Sequence, residues 1–404
     1  MSGKEIGMKE NTFYEIRKNS FKEKLILPFY GGLSIANIAN SVLKNFGGES
    51  GVQLNEPLRG LFENRDFIVL LLIDALGFNL ISSIMDKTEL PAFNKLKEKG
   101  MFAALTSVFP STTAVALPSV TSGLTPSEHG LLGYRFYSKK YGYLINSLFG
   151  KPANTERCKI KIDINWYMPK ETIAEKLSDL HVNSYVVTRI DYLNSHFEKA
   201  IYRGFKEVPY LTMSDMFAHV SELLNEEPPV YINAYWWGID GLSHRYGPYS
   251  KEVLNEVILL DKMIDGILRI LPKNSLFIAI SDHGQINSPF GRTVDLSSYR
   301  EIADKIMLPV SDLRAPYVYT RGNVDKELFK TLENVSVLTN REAFELNLFG
   351  KVREFTDRVG DFVFLIEDDK NYAYLSPQEE INLIGKHGGL SENEMLVPFF
   401  AYSV

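Results

Sequence analysis

At 404 residues, with 45% hydrophobic and 12% aromatic content, the chain is long enough for one large α/β domain with an insertion, or for two domains. A net charge of −6 argues against a nucleic-acid duplex or an acidic membrane surface as partner, and no run approaches the ~18 uninterrupted apolar residues of a spanning helix. The single cysteine, Cys158, excludes an intrachain disulfide; with a polar first 25 residues lacking the apolar stretch of a signal peptide, a cytoplasmic protein is the expectation.

The elements then follow in chain order. Phe67–Ile73 (FIVLLLI) is a continuous apolar run, the pattern of a central strand buried on both faces. Leu90–Gly100 reads as a helix, with Pro91 at its start and Gly100 past its end. Thr106–Phe109 predicts a strand and Ala114–Ser122 a helix opening directly after Ser111, Thr112 and Thr113. Pro169–Leu180 is predicted helical, Tyr185–Val187 and Val230–Tyr235 are predicted strands, and Lys251–Leu271 carries apolar residues at helical spacing. Leu276–Ile280 is a further buried strand. This alternation predicts a doubly wound, mostly parallel α/β sheet. The rhythm breaks between residues 287 and 384, where Ala315–Tyr319, Asp361–Leu365 and Tyr372–Leu375 read as short strands. The expected division is therefore a core of residues 1–286 and 385–404, interrupted by a smaller α+β insertion over 287–384.

Six metal-type ligands stand just beyond the strand-like runs or in Gly-rich turns: Asp74, Asp240, His244, Asp282, His283 and His387. In such sheets, binding residues gather beyond the carboxyl ends of the strands. Asp74 follows its apolar run at once, Asp282-His283-Gly284 follows LFIAI after one serine, and Asp240 comes shortly after INAYWW. The i, i+4 spacing of Asp240 and His244 suits one face of a helical turn. Thr113, at a helix start, would see oriented N–H groups and the positive dipole end, both suited to a phosphate. Each segment also has a plainer reading: a helix cap for Asp74 and Thr113, a capped turn for Asp240, and a flexible loop for His387. Their joint occurrence points to two divalent ions acting on an oxyanion.

In order and spacing, LLLIDALG, FPSTTAVALPSVTSGLTPSEHG, GIDGLSHRYGP, ISDHG and KHGG resemble the type I phosphodiesterase/nucleotide pyrophosphatase family of the alkaline phosphatase superfamily. The motifs span roughly residues 65–290 and 380–390. The resemblance implies an alkaline phosphatase-like fold, two zinc ions about 4 Å apart, and a phosphothreonine intermediate on Thr113. The family's nucleophile lies ten residues before a glycine, and Gly123 therefore selects Thr113 over Thr112. By the same resemblance, Asp240, His244 and His387 would hold one ion. Asp74, Asp282 and His283 would hold the other, which also contacts Thr113. His129 matches a family position that looks structural. An asparagine that contacts the phosphoryl group in the family corresponds to Tyr134, followed here by Arg135. Tyr134 could donate to the same oxygen, and Arg135 could clamp a more highly charged phosphate.

The expected substrate is a small phosphodiester or nucleotide pyrophosphate. Arg135 keeps open a phosphomonoesterase, phosphonate hydrolase or phosphotransferase, and a non-catalytic metal- or ligand-binding module is the alternative of another class. Tyr235, Trp236 and Trp237 read first as core and second as a stacking platform. His181, His196 and His219 have no ligand partner nearby in sequence.

Overall fold

The computed structural model describes residues 6–153, 160–308 and 311–404, so Cys158 lies outside the described residues. Seven strands form the central sheet, in the spatial order Met101–Thr106, Leu396–Ser403, Ser275–Ile280, Phe67–Ile73, Val230–Trp236, Asn183–Arg189, Lys206–Tyr210. All run parallel except Leu396–Ser403, which is antiparallel to both of its neighbours. The sheet is thus α/β and mostly parallel, as the alternating pattern predicts.

Phe67–Ile73 has no polar residue, and the sheet buries all seven side chains by placing the strand at its centre. Its register decides the geometry that follows. Ile73 pairs with Trp236 on one side and Leu72 with Ile280 on the other. Continued by one or two residues, that register sets Asp74 level with Trp237 and Asp282. Parallel strands end at a common edge, so three loops distant in sequence begin side by side.

The helices cover this sheet. Lys251–Ile270 is capped by Ser250, whose Oγ accepts from Val253 N at 3.4 Å, and buries Val253, Val257, Leu260 and Ile264 on one stripe. Thr113–Ser122 is buried from Ala114 onward and ends at Gly123, whose φ of 73° is the left-handed cap that glycine favours. Two elements differ from expectation. The strand predicted at Thr106–Phe109 lies earlier, at Met101–Thr106, because MFAALT pairs with Leu396–Ala401. From Ser107 the chain leaves the sheet, and Ser107 Oγ donates to Asp282 O at 2.5 Å. The helix predicted over Pro169–Leu180 is confined to Ile173–Asp179, since Thr172 Oγ1 accepts from Glu175 N at 3.2 Å and starts the helix there.

Within residues 287–384, Tyr317–Val318, Phe362–Ile366 and Val335–Thr339 form a three-stranded antiparallel sheet with Phe362–Ile366 in the middle. It has a small apolar cluster of its own, including Leu296, Ile302, Phe329 and Phe364. Other residues of the stretch, among them Tyr317 and Phe349, pack into the main core. Arg314 ties the two together: its guanidinium is fully buried against Glu394, with Nε–Oε1 at 3.0 Å and Nη2–Oε2 at 2.8 Å.

Candidate active site

Beyond the carboxyl edge of the sheet, the backbone crowds to a degree that only glycine permits at two places. A Cβ on Gly284 would lie 2.1 Å from Asn393 O and 2.9 Å from Gly77 Cα. A Cβ on Gly77 would in turn lie 3.1 Å from Gly284 Cα and 3.2 Å from Asn393 O, a tight fit. These contacts draw the loop after Phe67–Ile73 against the loop after Ser275–Ile280. Ala75 N then donates to Asp282 Oδ1 at 3.2 Å, so Asp74 and Asp282 are held as neighbours.

Asp74, Asp240, His244, Asp282, His283 and His387 converge around Thr113. His283 Nε2 lies 3.4 Å from Asp74 Oδ1 and 3.5 Å from Asp282 Oδ2. His244 Nε2 is 3.4 Å, and His387 Nε2 3.8 Å, from Asp240 Oδ1. Thr113 Oγ1 lies 3.1 Å from His283 Nε2 and 3.4 Å from Asp74 Oδ2. Two groups have ligand atoms mutually within 4.8 Å: Asp240 with His244 and His387, and Asp74 with Asp240 and His283. Asp240 stands between the two, a position that the pairing of segments in the sequence does not reveal.

The three imidazoles are oriented alike. His244 Nδ1 is 2.8 Å from Gly385 O, His283 Nδ1 3.1 Å from Gly284 O, and His387 Nδ1 3.1 Å from Ser111 O. A carbonyl oxygen only accepts, so each Nδ1 carries a proton and each Nε2 is the ring nitrogen turned to the cluster. The rings of His283 and His387 stack at 4.0 Å between centroids, and burial together with His283 and His244 pushes His387 well below the usual imidazole range. Burial, followed by the carboxylates of Asp282 and Asp240, pushes Asp74 well above the usual carboxylate range. Asp74 Oδ1 and Asp282 Oδ2 are buried with no hydrogen-bond partner among the described residues. Among the described residues only histidines form ion-pair contacts with these three carboxylates. Crowded buried carboxylates with the Nε2 atoms of three imidazoles turned towards them are a donor set that fits divalent cations.

Comparison with known proteins bears on what such a cluster belongs to. The sequence pattern of type I phosphodiesterase / nucleotide pyrophosphatase matches residues 68–390. The chain belongs to that family. The family's named members are hydrolases of phosphoric esters. Ectonucleotide pyrophosphatase/phosphodiesterase family member 1 of Homo sapiens is 25% identical over 218 residues, which is 52% of this chain and 23% of that protein. The venom phosphodiesterase of Macrovipera lebetinus is 22% identical over 258 residues, 62% of this chain and 29% of that one. The chain thus spans less than a third of the length of these curated relatives. Two solved structures share its fold. An inactive murine ectonucleotide pyrophosphatase / phosphodiesterase 5 in complex with AMP has a TM-score of 0.65 at 17% identity, covering 84% of this chain and 88% of that one. Phosphonoacetate hydrolase from Sinorhizobium meliloti 1021 has a TM-score of 0.66 at 17% identity, covering 84% and 91%.

At the two positions expected to meet substrate, this family member treats the side chains differently. Tyr134 lines a cavity of about 200 Å³ together with Thr113, Asp240, His244 and His387. Arg135 is buried, and Glu380 engages it at both ends of the guanidinium, with Nη1–Oε2 at 2.9 Å and a still closer contact from Nη2 to Oε1. His129 packs away from the cluster, with Nε2 3.1 Å from Ser119 Oγ and Nδ1 accepting from Leu131 N; burial pushes it down to about 3. Trp236 is buried, whereas Trp237 lines a second cavity at Thr113.

Several partners of the cluster carry no sequence motif. The Tyr235 hydroxyl donates to Asp74 Oδ2 in a short contact, and burial beside Asp74 holds that hydroxyl protonated. Gln285 Nε2 donates to Asp240 Oδ1 at 2.5 Å. Asp312 and Glu380 reach the smaller cavity from the 287–384 stretch, and burial pushes Asp312 up to about 6. Gln285 lies two residues beyond His283, which was the available signal. Asp312 and Glu380 had none.

Proposed function

We propose that the chain is a metal-dependent phosphodiesterase/nucleotide pyrophosphatase with Thr113 as nucleophile and a phosphothreonine intermediate. Asp240, His244 and His387 hold one divalent ion in this reading, and Asp74, Asp282 and His283 hold the other, with Asp240 close enough to serve both groups. Zinc suits this mixture of imidazole and carboxylate. The observation that carries the reading is the shared orientation of the three imidazoles, each Nδ1 tied to a backbone carbonyl and each Nε2 turned towards the carboxylates around Thr113 Oγ1.

Bound divalent ions would supply Lewis acidity and lower the pKa of a hydroxyl beside them. The chain's own residues do the rest. Thr113 presents Oγ1 from the first turn of a ten-residue helix, whose positive end favours the incoming phosphate. Its Oγ1 lies beside His283 Nε2 and Asp74 Oδ2, so an ion held by those two residues would favour loss of its proton to solvent. Tyr235 holds Asp74 in place, and Gln285 holds Asp240. Tyr235→Phe is therefore expected to weaken metal binding by about 10–100-fold, read by competition with a chromophoric chelator. An unchanged affinity would remove Tyr235 from the site.

Arg135 is engaged by Glu380, and Asp312 lies on the same wall. A second phosphoryl charge would meet carboxylates there rather than a free guanidinium, which favours a diester over a monoester or phosphonate. The test is the ratio of kcat/KM for an aryl phosphodiester over the matching monoester with zinc supplied. A ratio well above one is expected. A ratio well below one would move the activity to monoesters, and turnover of neither would leave a binding module.

Three further parts of the reading rest on narrower support. The separate small sheet and cluster support a core of 1–286 and 385–404 with an insertion at 287–384. Small phosphoesters or nucleotides are the proposed substrates. The single cysteine supports a cytoplasmic setting, and no helix among the described residues is long and apolar enough to cross a membrane.

A further inference from the structure

The short helix Glu392–Met395 lies where two ligand-bearing loops meet, and one of its residues touches both. Glu394 O accepts from Gly284 N at 2.9 Å, next to Asp282 and His283. Glu394 Oε1 accepts from Gly389 N at 2.9 Å, two residues beyond His387. A Cβ on Gly389 would lie 2.8 Å from Glu394 Oε2, so the carboxylate is seated directly against this backbone. The His387 loop passes the constraint on. Ser111 N donates to Gly388 O at 3.2 Å and Ser111 Oγ to Gly389 O at 2.7 Å, two residues before Thr113.

Glu394 is itself fixed from the 287–384 stretch. Arg314 donates to both of its oxygens, and Ser111's neighbour in this network, Gly389 N, shares Oε1 while Ser391 Oγ donates to Oε2 at 2.6 Å. Arg314 Nη1 in turn donates to Asp368 O at 2.8 Å and, closer still, to Lys370 O. Neither side chain of the pair has exposed surface. Such a pair is weak evidence for stability, because an apolar pair of like volume often serves as well. Its geometric content is greater. A guanidinium held at both edges leaves the carboxylate one orientation, and in that orientation it grips Gly389.

We propose that Glu394, oriented by Arg314, is a positioning residue that fixes His387 relative to Asp282, His283 and Thr113, and so sets the spacing of the two ion sites. The proposal rests on the reading above for the ions themselves.

The test replaces the pair, Arg314→Met with Glu394→Met, which keeps bulk and leaves no buried charge unpaired. Competition with a chromophoric chelator, well below the melting temperature, should show one of two zinc ions bound about 10–100-fold more weakly. Hydrogen exchange of the chelated protein should show the Gly389 amide losing protection, with the melting temperature near wild type. Glu394→Gln is the rescue. Its Oε1 still accepts from Gly389 N, so zinc affinity should stay within a few-fold of wild type, although Arg314 lacks a counter-charge and melting falls. Unchanged zinc affinity or Gly389 protection in the pair variant would overturn the proposal, as would a Glu394→Gln that loses zinc equally. Should the pair variant not fold, Arg314→Lys keeps the charge without the two-edged grip and should still weaken zinc; unchanged affinity there overturns the proposal too. A wild type that binds no zinc would sink the reading of the ions, whereas Gly389 exchange, followed without metal, still decides the positioning.

Discussion

Replacing Thr113 by alanine is expected to lower diester hydrolysis by at least about 10⁴-fold, the scale on which removal of a covalent nucleophile is felt. The fold should survive, because among the described residues Thr113 Oγ1 hydrogen-bonds only with His283 and Asp74, both members of the site itself. Its neighbour supplies the control. Thr112 precedes the helix, and its side chain makes no capping hydrogen bond. Thr112→Ala should therefore stay within a few-fold of wild type on any reading that makes Thr113 the nucleophile. Acid quenching of the wild-type reaction with a labelled diester should trap on Thr113 a phosphoryl group that still carries one ester substituent. Residual activity in Thr113→Ala near the wild-type level would mean that water attacks directly, and the phosphothreonine step would have to be abandoned.

The second large effect concerns Asp240. Its Oδ1 is 3.4 Å from His244 Nε2 and 3.8 Å from His387 Nε2, and it also groups with Asp74 and His283. Asp240→Asn should therefore cost both ions, not one: elemental analysis after gel filtration should fall from about two equivalents to below one, and activity to near background. Thermal stability supplies an independent readout. Without metal, burial first and then the carboxylates of Asp282 and Asp240 push the Asp74 pKa up, so removing one negative charge relieves part of that strain. Asp240→Asn is thus expected to raise the melting temperature of the chelated protein while abolishing the rise that zinc gives the wild type. One remaining equivalent of tightly bound metal would show that Asp240 belongs to a single site.

The same crowding sets a pH dependence with a definite sign. In the metal-free protein Asp74 has a folded pKa above the unfolded value of about 4. Between those two values the folded state holds a proton that the unfolded state has released. Stability from this group is present below about pH 4 and lost as pH rises through the raised pKa. A metal-free protein that loses stability on moderate alkalinisation, with zinc reversing the loss, is the expected pattern.

Much of this was legible before any coordinates. The seven apolar residues of FIVLLLI mark a central strand, and the carboxylates at the ends of such runs have to meet, because parallel strands finish at one edge. Residue type and position relative to a strand end are local properties, and the chain writes them directly. The family motifs added the order in which these segments recur. The one misplaced strand, Met101–Thr106, shows the limit of local reading: MFAALT and SVF are both apolar, and only pairing with Leu396–Ser403 selects the first.

The tertiary structure decided the rest. Asp74 meets the Tyr235 hydroxyl across 161 residues, Arg135 meets Glu380 across 245, and Arg314 meets Glu394 across 80. Such contacts have no period and no fixed spacing, so nothing in the sequence announces them. They nonetheless decide which charges are free and which are neutralised. Arg135 reads as an anion clamp in sequence and stands in the folded chain as half of a buried pair, while Glu198, unremarkable in sequence, has a buried oxygen with no partner among the described residues. Residue type and strand-end position determined which side chains gather at the site. Desolvation and pairing, which exist only once remote segments pack together, determined which of them remain available for chemistry.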